Sequence, residues 1–219
     1  MKAYFVTATG TGIGKTCVTA GLIRHWRAEG LNATALKPVI SGFAAARESD
    51  SGILLEAMGE AVNEETVARI SPWRFAAPLS PDMAAAREGR EIDFEVLLTF
   101  CRKAVAVARG PLLIEGVGGV MVPLDARHTV LDWMAQLGLP AILVAGSYLG
   151  TLSHTLTAAK ALRRAGVGIA ALVLNDGGDG AVPLADTRAS LKRFLPDCPI
   201  ALLARSPARS DFARLAEFF

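Results

Sequence analysis

Residues 4–16 read YFVTATGTGIGKT, an apolar run, a glycine-rich turn and then Gly14-Lys15-Thr16. This order constrains the chain more than any other feature. A strand that turns over glycines into a helix points backbone N–H groups inward and adds the partial positive charge of the helix N-terminus. Such a turn seats phosphate. Lys15 would then reach the β/γ oxygens, and the Thr16 hydroxyl would join the shell of a Mg²⁺ ion. The strict pattern G-x-x-x-x-G-K-[ST] is not met, because Thr9 stands where its first glycine belongs. Gly10, Gly12 and Gly14 still supply a flexible turn in the required place.

With 219 residues, 52% hydrophobic and 20% charged, the chain is expected to form one domain, residues 1–219, with a substantial core. The formal net charge is +2 and the 23 Lys+Arg are scattered, which argues against nucleic acid as the main partner. A few focused cations would still suffice for a small anionic substrate. Cys17, Cys101 and Cys198 are far apart and have no metal-ligand spacing. They read as buried, reduced thiols of a cytoplasmic protein.

Short apolar runs alternate with helical patterns, the signature of an α/β fold with a mostly parallel central sheet and helices on both faces. Strands are expected at 3–8, 33–39, 111–115, 141–145, 169–175 and 200–203. The first helix should run from Lys15 to about Glu29, with Val18, Leu22, Ile23 and Trp26 on one face. Further helices are expected near 51–60, 93–108, 129–137, 152–165 and 184–195, with 71–92 less regular. Ligands of such sheets sit beyond the carboxyl ends of the strands. The expected strand ends carry Gly10 to Thr16, Lys37 to Ser41, Glu115 to Gly119, Gly146 to His154 and Asn175-Asp176, all suited to a nucleotide, a metal or a substrate.

Individual residues read as follows. Lys37 at a sheet rim either snorkels or faces an anion, and in the second reading it brackets a γ-phosphate opposite Lys15. Glu115 closes the run LLIE before two glycines and, with Thr16, offers oxygens that suit Mg²⁺. Asp50 is either the third ligand or a helix N-cap. Asn175 either meets an adenine edge or forms a turn. His25, His128 and His154 read as structural. The sequence shows no Ser/His/Asp order, Cys/His pair or zinc spacing to support hydrolase chemistry.

Seven blocks, TATGTGIGKT (7–16), KPVISG (37–42), SD (49–50), FAAPLSPD (75–82), IEGVGG (114–119), YLGTLSH (148–154) and LND (174–176), together resemble the dethiobiotin synthetases of the P-loop NTPase superfamily. The resemblance implies an ATP- and Mg²⁺-dependent cyclo-ligase of biotin synthesis. Its reaction closes a ureido ring on 7,8-diaminononanoate with CO₂. The resemblance makes Lys37 catalytic, puts Thr11 and Lys15 near the carbamate and γ-phosphate, and makes Ser41 a substrate contact. It makes Thr16, Asp50 and Glu115 the Mg²⁺ ligands. ATP would be held by Gly12, Ile13, Gly14, Lys15, Thr16, Cys17, Asp50, Glu115, Gly116, Val117, Gly118, Asn175 and Asp176. The substrate carboxylate would meet Leu149, Gly150, Thr151, Leu152 and Ser153 from the partner of a homodimer.

The chain departs from the family pattern at Ala8, Gly12, Asp82 and Ser153, the last bearing on substrate positioning. Nucleotide switches that partition cargo or deliver metal clusters are a related class. They carry a lysine at the position of Gly10, so that reading is disfavoured.

Overall fold

The computed structural model describes residues 2–177 and 182–219. Six strands form the main sheet in the order β2-β5-β1-β6-β7-β8, every pairing parallel. They are β1 (Ala3–Ala8), β2 (Thr34–Leu36), β5 (Leu112–Glu115), β6 (Ala141–Gly146), β7 (Ile169–Asn175) and β8 (Ile200–Leu203). All six residues of β6 are buried, inward and outward positions alike. Burial of both faces is why these strands are continuous apolar runs and do not alternate. Helix α1 (Lys15–Ala28) buries Val18, Leu22, Ile23 and Trp26. The ring of Phe5 meets Trp133 of α6 (Val130–Leu137) edge-on at 4.8 Å.

Register decides which side chains meet at the carboxyl end of the sheet. Leu36 of β2 pairs with Ile114 of β5, so the following residues, Lys37 and Glu115, arrive side by side. Val6 of β1 pairs with Glu115, and Gly146 of β6 with Asn175 of β7. The sheet grows outward in both directions from β5 and β1, so the first crossover helix starts beside a topological switch point.

The expected strand 33–39 is two strands. Pro38 has no N–H to give to a ladder, and Lys37 turns its amide to the carbonyl of Ile70. The chain resumes as β3 (Val39–Ser41), which pairs in parallel with β4 (Trp73–Phe75) in a separate small sheet. The stretch 71–92 is also more ordered than expected, containing β4 and α4 (Pro81–Arg87). Helix α3 (Glu64–Ile70) opens on a reciprocal cap between Asn63 and Thr66. Helices α2 (Asp50–Ala57), α5 (Phe94–Val107), α7 (Thr151–Arg164) and α8 (Leu184–Phe194) lie where helices were expected, and α9 (Arg209–Ala216) is additional. Cys101 and Cys198 are buried, but Cys17 is exposed, a correction to the reading of three buried thiols. Val18 and not Cys17 occupies the packed face of α1.

Helix α9 packs on α1 through a glycine. A side chain at Gly21 would run into the ring of Phe212. Gly21→Leu should therefore lift α9 and cost about 1–3 kcal/mol by overpacking. At this chain length that lowers Tm by about 2–4 °C per kcal/mol, and an unchanged melting curve would show that the contact is dispensable.

Candidate active site

Beyond β1 the chain makes the glycine turn and enters α1 with Gly14 as its N-cap, at φ 100°. That left-handed conformation suits glycine. Space demands it too, because a Cβ at Gly14 would collide with the side-chain amide of Asn175. The first turn of α1 carries no acidic residue and its cap supplies no side-chain acceptor, so the helix N-terminus keeps its positive character.

The turn forms one wall of a cleft of about 550 Å³. Thr11, Gly12, Ile13, Gly14, Lys15 and Thr16 line it together with Lys37, Ser41, Asp50, Val117 and Gly118. Residues from three of the five expected strand ends thus converge, whereas none of Gly146 to His154 or Asn175-Asp176 lines this cleft. Lys15 is 7% exposed and donates to the carbonyls of Gly118 (2.7 Å) and Gly10 (3.3 Å), tying the turn to the loop after β5. Burial, with the nearby charge of Lys37, pulls its ammonium down to about 8, against the smaller opposing pull of Glu115 and Asp50.

Lys37 lines the cleft, and Glu115, packed against its ammonium, does not line it, nor does Gly116. Lys37 is 3% exposed and Glu115 fully buried. The Lys37 ammonium donates to Glu115 Oε1 at 2.8 Å and to the Gly116 carbonyl at 2.7 Å, and it lies 3.3 Å from Asp50 Oδ2. Burial works against the charged form of Lys37, but the two carboxylates outweigh it and hold the pKa above the usual lysine value. The Thr16 hydroxyl donates to the same Glu115 oxygen at 2.8 Å. For Asp50, burial opposes ionisation, yet Lys37, a hydrogen bond from Thr16 and the charge of Lys15 together hold the carboxyl below its ordinary value.

The two readings of Asp50 separate here. Ser49 is the N-cap of α2 and accepts from Gly52 N at 3.2 Å, so Asp50 is released from capping and turns to the cleft. Among the described residues no group of three or more His, Cys, Asp or Glu could hold a metal. The cleft is lined by the Asp50 carboxylate and the Thr16 hydroxyl, with Glu115 behind Lys37, its Oε2 buried with no hydrogen-bond partner among those residues. That set suits Mg²⁺, which takes one or two carboxylates and completes its shell with phosphate and water.

Other expected residues occupy different places. Asn175 donates from its side-chain amide to the Ile13 carbonyl at 2.9 Å and so braces the glycine turn from the end of β7. The Asp176 amide continues the sheet, donating to Leu203 at 2.9 Å. Cys17 lies on the exposed side of α1. Leu149, Gly150, Thr151, Leu152 and Ser153 do not line the cleft. Leu149 is 89% exposed, and the buried Thr151 hydroxyl donates to Gly146 within its own turn. The Tyr148 hydroxyl bonds His154 Nδ1 at 2.9 Å, and His128 pairs with Asp125 while stacking on Phe94.

Ile40, Pro78, Leu79, Ser80, Pro81 and Val122 also line the cleft, and local sequence assigns no chemistry to them. The double-proline punctuation at 78–81 is the signal of that segment, which follows the β3–β4 pairing in the chain.

Comparison with known proteins identifies the family. A family model described as an AAA domain matches residues 2–214. The ATP-dependent dethiobiotin synthetase BioD of Acidiphilium cryptum (strain JF-5) is 57% identical over 202 residues, 91% of each chain. That of Anaeromyxobacter dehalogenans (strain 2CP-C) is 43% identical over 219 residues, 99% of this chain and 94% of its own. Among solved structures, MinD in the MinC:MinD complex of Aquifex aeolicus matches with a TM-score of 0.59 at 14% identity, covering 100% of this chain and 90% of that one. The cell division ATPase MinD of Pyrococcus furiosus gives 0.56 at 18% identity, covering 98% and 88%. At such identities these two speak for the fold alone. From the extent and level of identity to the curated relatives, the chain belongs to the ATP-dependent dethiobiotin synthetase BioD family.

Proposed function

We propose that the chain is a dethiobiotin synthetase. It would close the ureido ring of dethiobiotin from 7,8-diaminononanoate and CO₂, turning ATP into ADP and phosphate, with residues 1–219 acting as one ATP-binding domain. The family relationship supports the reaction. The observation that carries the site is the contact of Lys37 with both Glu115 and Asp50 beside the glycine turn, within electrostatic reach of Lys15.

The chemistry asks for charge placement more than for acid–base groups. One amine of the diamine takes up CO₂ and loses a proton, giving a carbamate. A carbamate oxygen then attacks the γ-phosphorus of ATP, and ADP leaves. The second amine attacks the carbonyl of the mixed anhydride, phosphate departs, the amine proton is released and the ring is closed.

Lys15 and the amides of Gly12, Gly14 and Thr16 grip the triphosphate, with Thr11 and Ser41 at the carbamate and diamine end. Lys37 faces the transferring group. A unit charge about 4 Å from developing negative charge contributes roughly 4 kcal/mol at an effective dielectric near 20. Thr16, Asp50 and Glu115 would hold Mg²⁺, which when bound draws charge from the phosphate oxygens. Val117 and Gly118 pack along the nucleotide, while Asn175 serves the base and, through Ile13, the turn. Little general acid–base catalysis is required, in keeping with a cleft lined by no histidine.

Incubation with the diamine, bicarbonate, Mg²⁺ and ATP should yield dethiobiotin and phosphate in equal amounts. Phosphate without ring product would refute the assignment. In the same assay Lys37→Gln should lose on the order of a hundred- to a thousandfold in kcat, as for loss of one transition-state donor. Survival within about threefold would remove Lys37 from the reaction.

Lys15 supplies a pH test. Its pKa of about 8 lies below the ordinary 10.5, and a bound triphosphate favours the charged form. Affinity is therefore full below pH 8 and falls as pH rises past it, with binding at pH 8.5 accompanied by proton uptake. Calorimetry in buffers of different ionisation enthalpy should report that uptake. Identical heats in every buffer would contradict it.

Leu149, Gly150, Thr151, Leu152 and Ser153 would serve the diamine carboxylate of a second copy. The exposure of Leu149 (89%) and Met121 (58%) supports a covered face in that region. Sedimentation should give a dimer, weakened by Leu149→Asp. A monomer at assay concentration that retains full activity would exclude the shared site.

A further inference from the structure

We infer that Lys37 serves as a placeholder for the divalent cation. Its ammonium balances Glu115 and Asp50 until metal and triphosphate arrive together, and it is then released toward the transferring phosphoryl group. The inference rests on reading Thr16, Asp50 and Glu115 as the metal ligands, and it adds an order of events to that reading.

The geometry is specific. The ammonium lies between the two carboxylates, 2.8 Å from Glu115 Oε1 and 3.3 Å from Asp50 Oδ2. Glu115 Oε1 already accepts from both Lys37 and Thr16, each at 2.8 Å. A cation drawing on that oxygen and on Asp50 must take directions that Lys37 fills. Glu115 Oε2 gives no independent anchorage to Lys37, being buried and without a hydrogen-bond partner among the described residues.

Charge arithmetic points the same way. Lys15 and Lys37 carry two positive charges and Asp50 and Glu115 two negative, so the four groups cancel. A divalent ion alone would enter a balanced cluster, buried at Lys15, Lys37 and Glu115 and 42% exposed at the Asp50 side chain, and leave it two charges positive, a costly state beside the buried groups. A triphosphate arriving with the ion supplies the missing negative charge. It also gives the displaced Lys37 ammonium a new partner, and the stem of Lys37, rooted at the end of β2, opens onto the same cleft. The ion pair is thus a resting contact that exchanges one anionic partner for another. It also accounts for a nearly buried ammonium that lines an open cleft with a fully buried carboxylate behind it, where a bare metal site would leave the carboxylates uncompensated.

The test is Mn²⁺ binding to the full chain stripped of nucleotide, followed by electron paramagnetic resonance at pH 7.5. Wild-type protein should bind Mn²⁺ weakly. Lys37→Met, which removes the ammonium and keeps the stem, should bind it roughly tenfold or more tightly. Lys15→Met removes the same charge from the same cleft but not from between the carboxylates, and should tighten Mn²⁺ binding much less. Unchanged or weaker Mn²⁺ binding in folded Lys37→Met, or equal tightening in both variants, would overturn the inference.

Should Lys37→Met not fold, ¹⁵N-lysine-labelled wild-type protein provides a second measurement. The Lys37 Nζ resonance should stay in place with Mg²⁺ alone and move when Mg²⁺ and a non-hydrolysable ATP analogue are added together. A resonance that moves with Mg²⁺ alone, or with neither addition, would refute the placeholder role. A flat Mn²⁺ result beside intact ring closure would fault only this inference, whereas phosphate release without ring product would fault the reaction itself.

Discussion

The buried contact between Lys37 and Glu115 is the constraint around which the cleft is arranged. Two side chains that would each be expensive to desolvate alone are placed at the ends of adjacent strands by backbone register. Such pairs seldom add net stability, because the attraction barely repays the lost hydration. Removing one member costs about 3–5 kcal/mol, since its partner is left charged and dry. Apolar residues would fill the same space more favourably, so the pair is better understood through what the cleft does. Thr16 joins it from α1 and Asp50 from α2, and four elements therefore have to be in place before the cluster is complete.

Most of this was legible in the chain because the relevant signals were local. A glycine turn between an apolar strand and a helix reads as a candidate phosphate seat without any knowledge of tertiary structure, and the structure bears out the strand, the turn and the helix. The apolar runs and their polar ends gave the parallel sheet and set Lys15, Lys37 and Glu115 at its carboxyl edge, whereas only the family resemblance added Asp50. What was missed depended on contacts between distant segments. Pro38 splits one expected strand in two, and the second half pairs with Trp73–Phe75, a partner that no local pattern identifies. The 78–81 segment that follows β4 is among the residues lining the cleft. Asp50 was ambiguous because a capping residue and a metal ligand look alike in sequence. Only the bond from Gly52 N to Ser49 shows that the capping task is already taken.

The likeness to MinD at 14–18% identity shows how far the scaffold can be separated from the chemistry. A parallel sheet with a glycine turn beyond its first strand presents phosphate to whatever the neighbouring strand ends provide. Here those ends provide an ammonium and a carboxylate, α2 adds a second carboxylate, and a small second sheet lies alongside. Assignment of a reaction therefore has to come from these groups and from the close relatives, and the shared architecture alone does not supply it.

Asn175 and Gly14 occupy one another's space. The amide that holds the Ile13 carbonyl sits where any side chain at position 14 would have to go. Neither position can be varied by itself: enlarging residue 14 evicts the strut, and shortening residue 175 leaves a left-handed backbone with nothing against it. For anyone diversifying this loop, the two sites amount to one combinatorial unit, and a library that samples them separately will report both as intolerant.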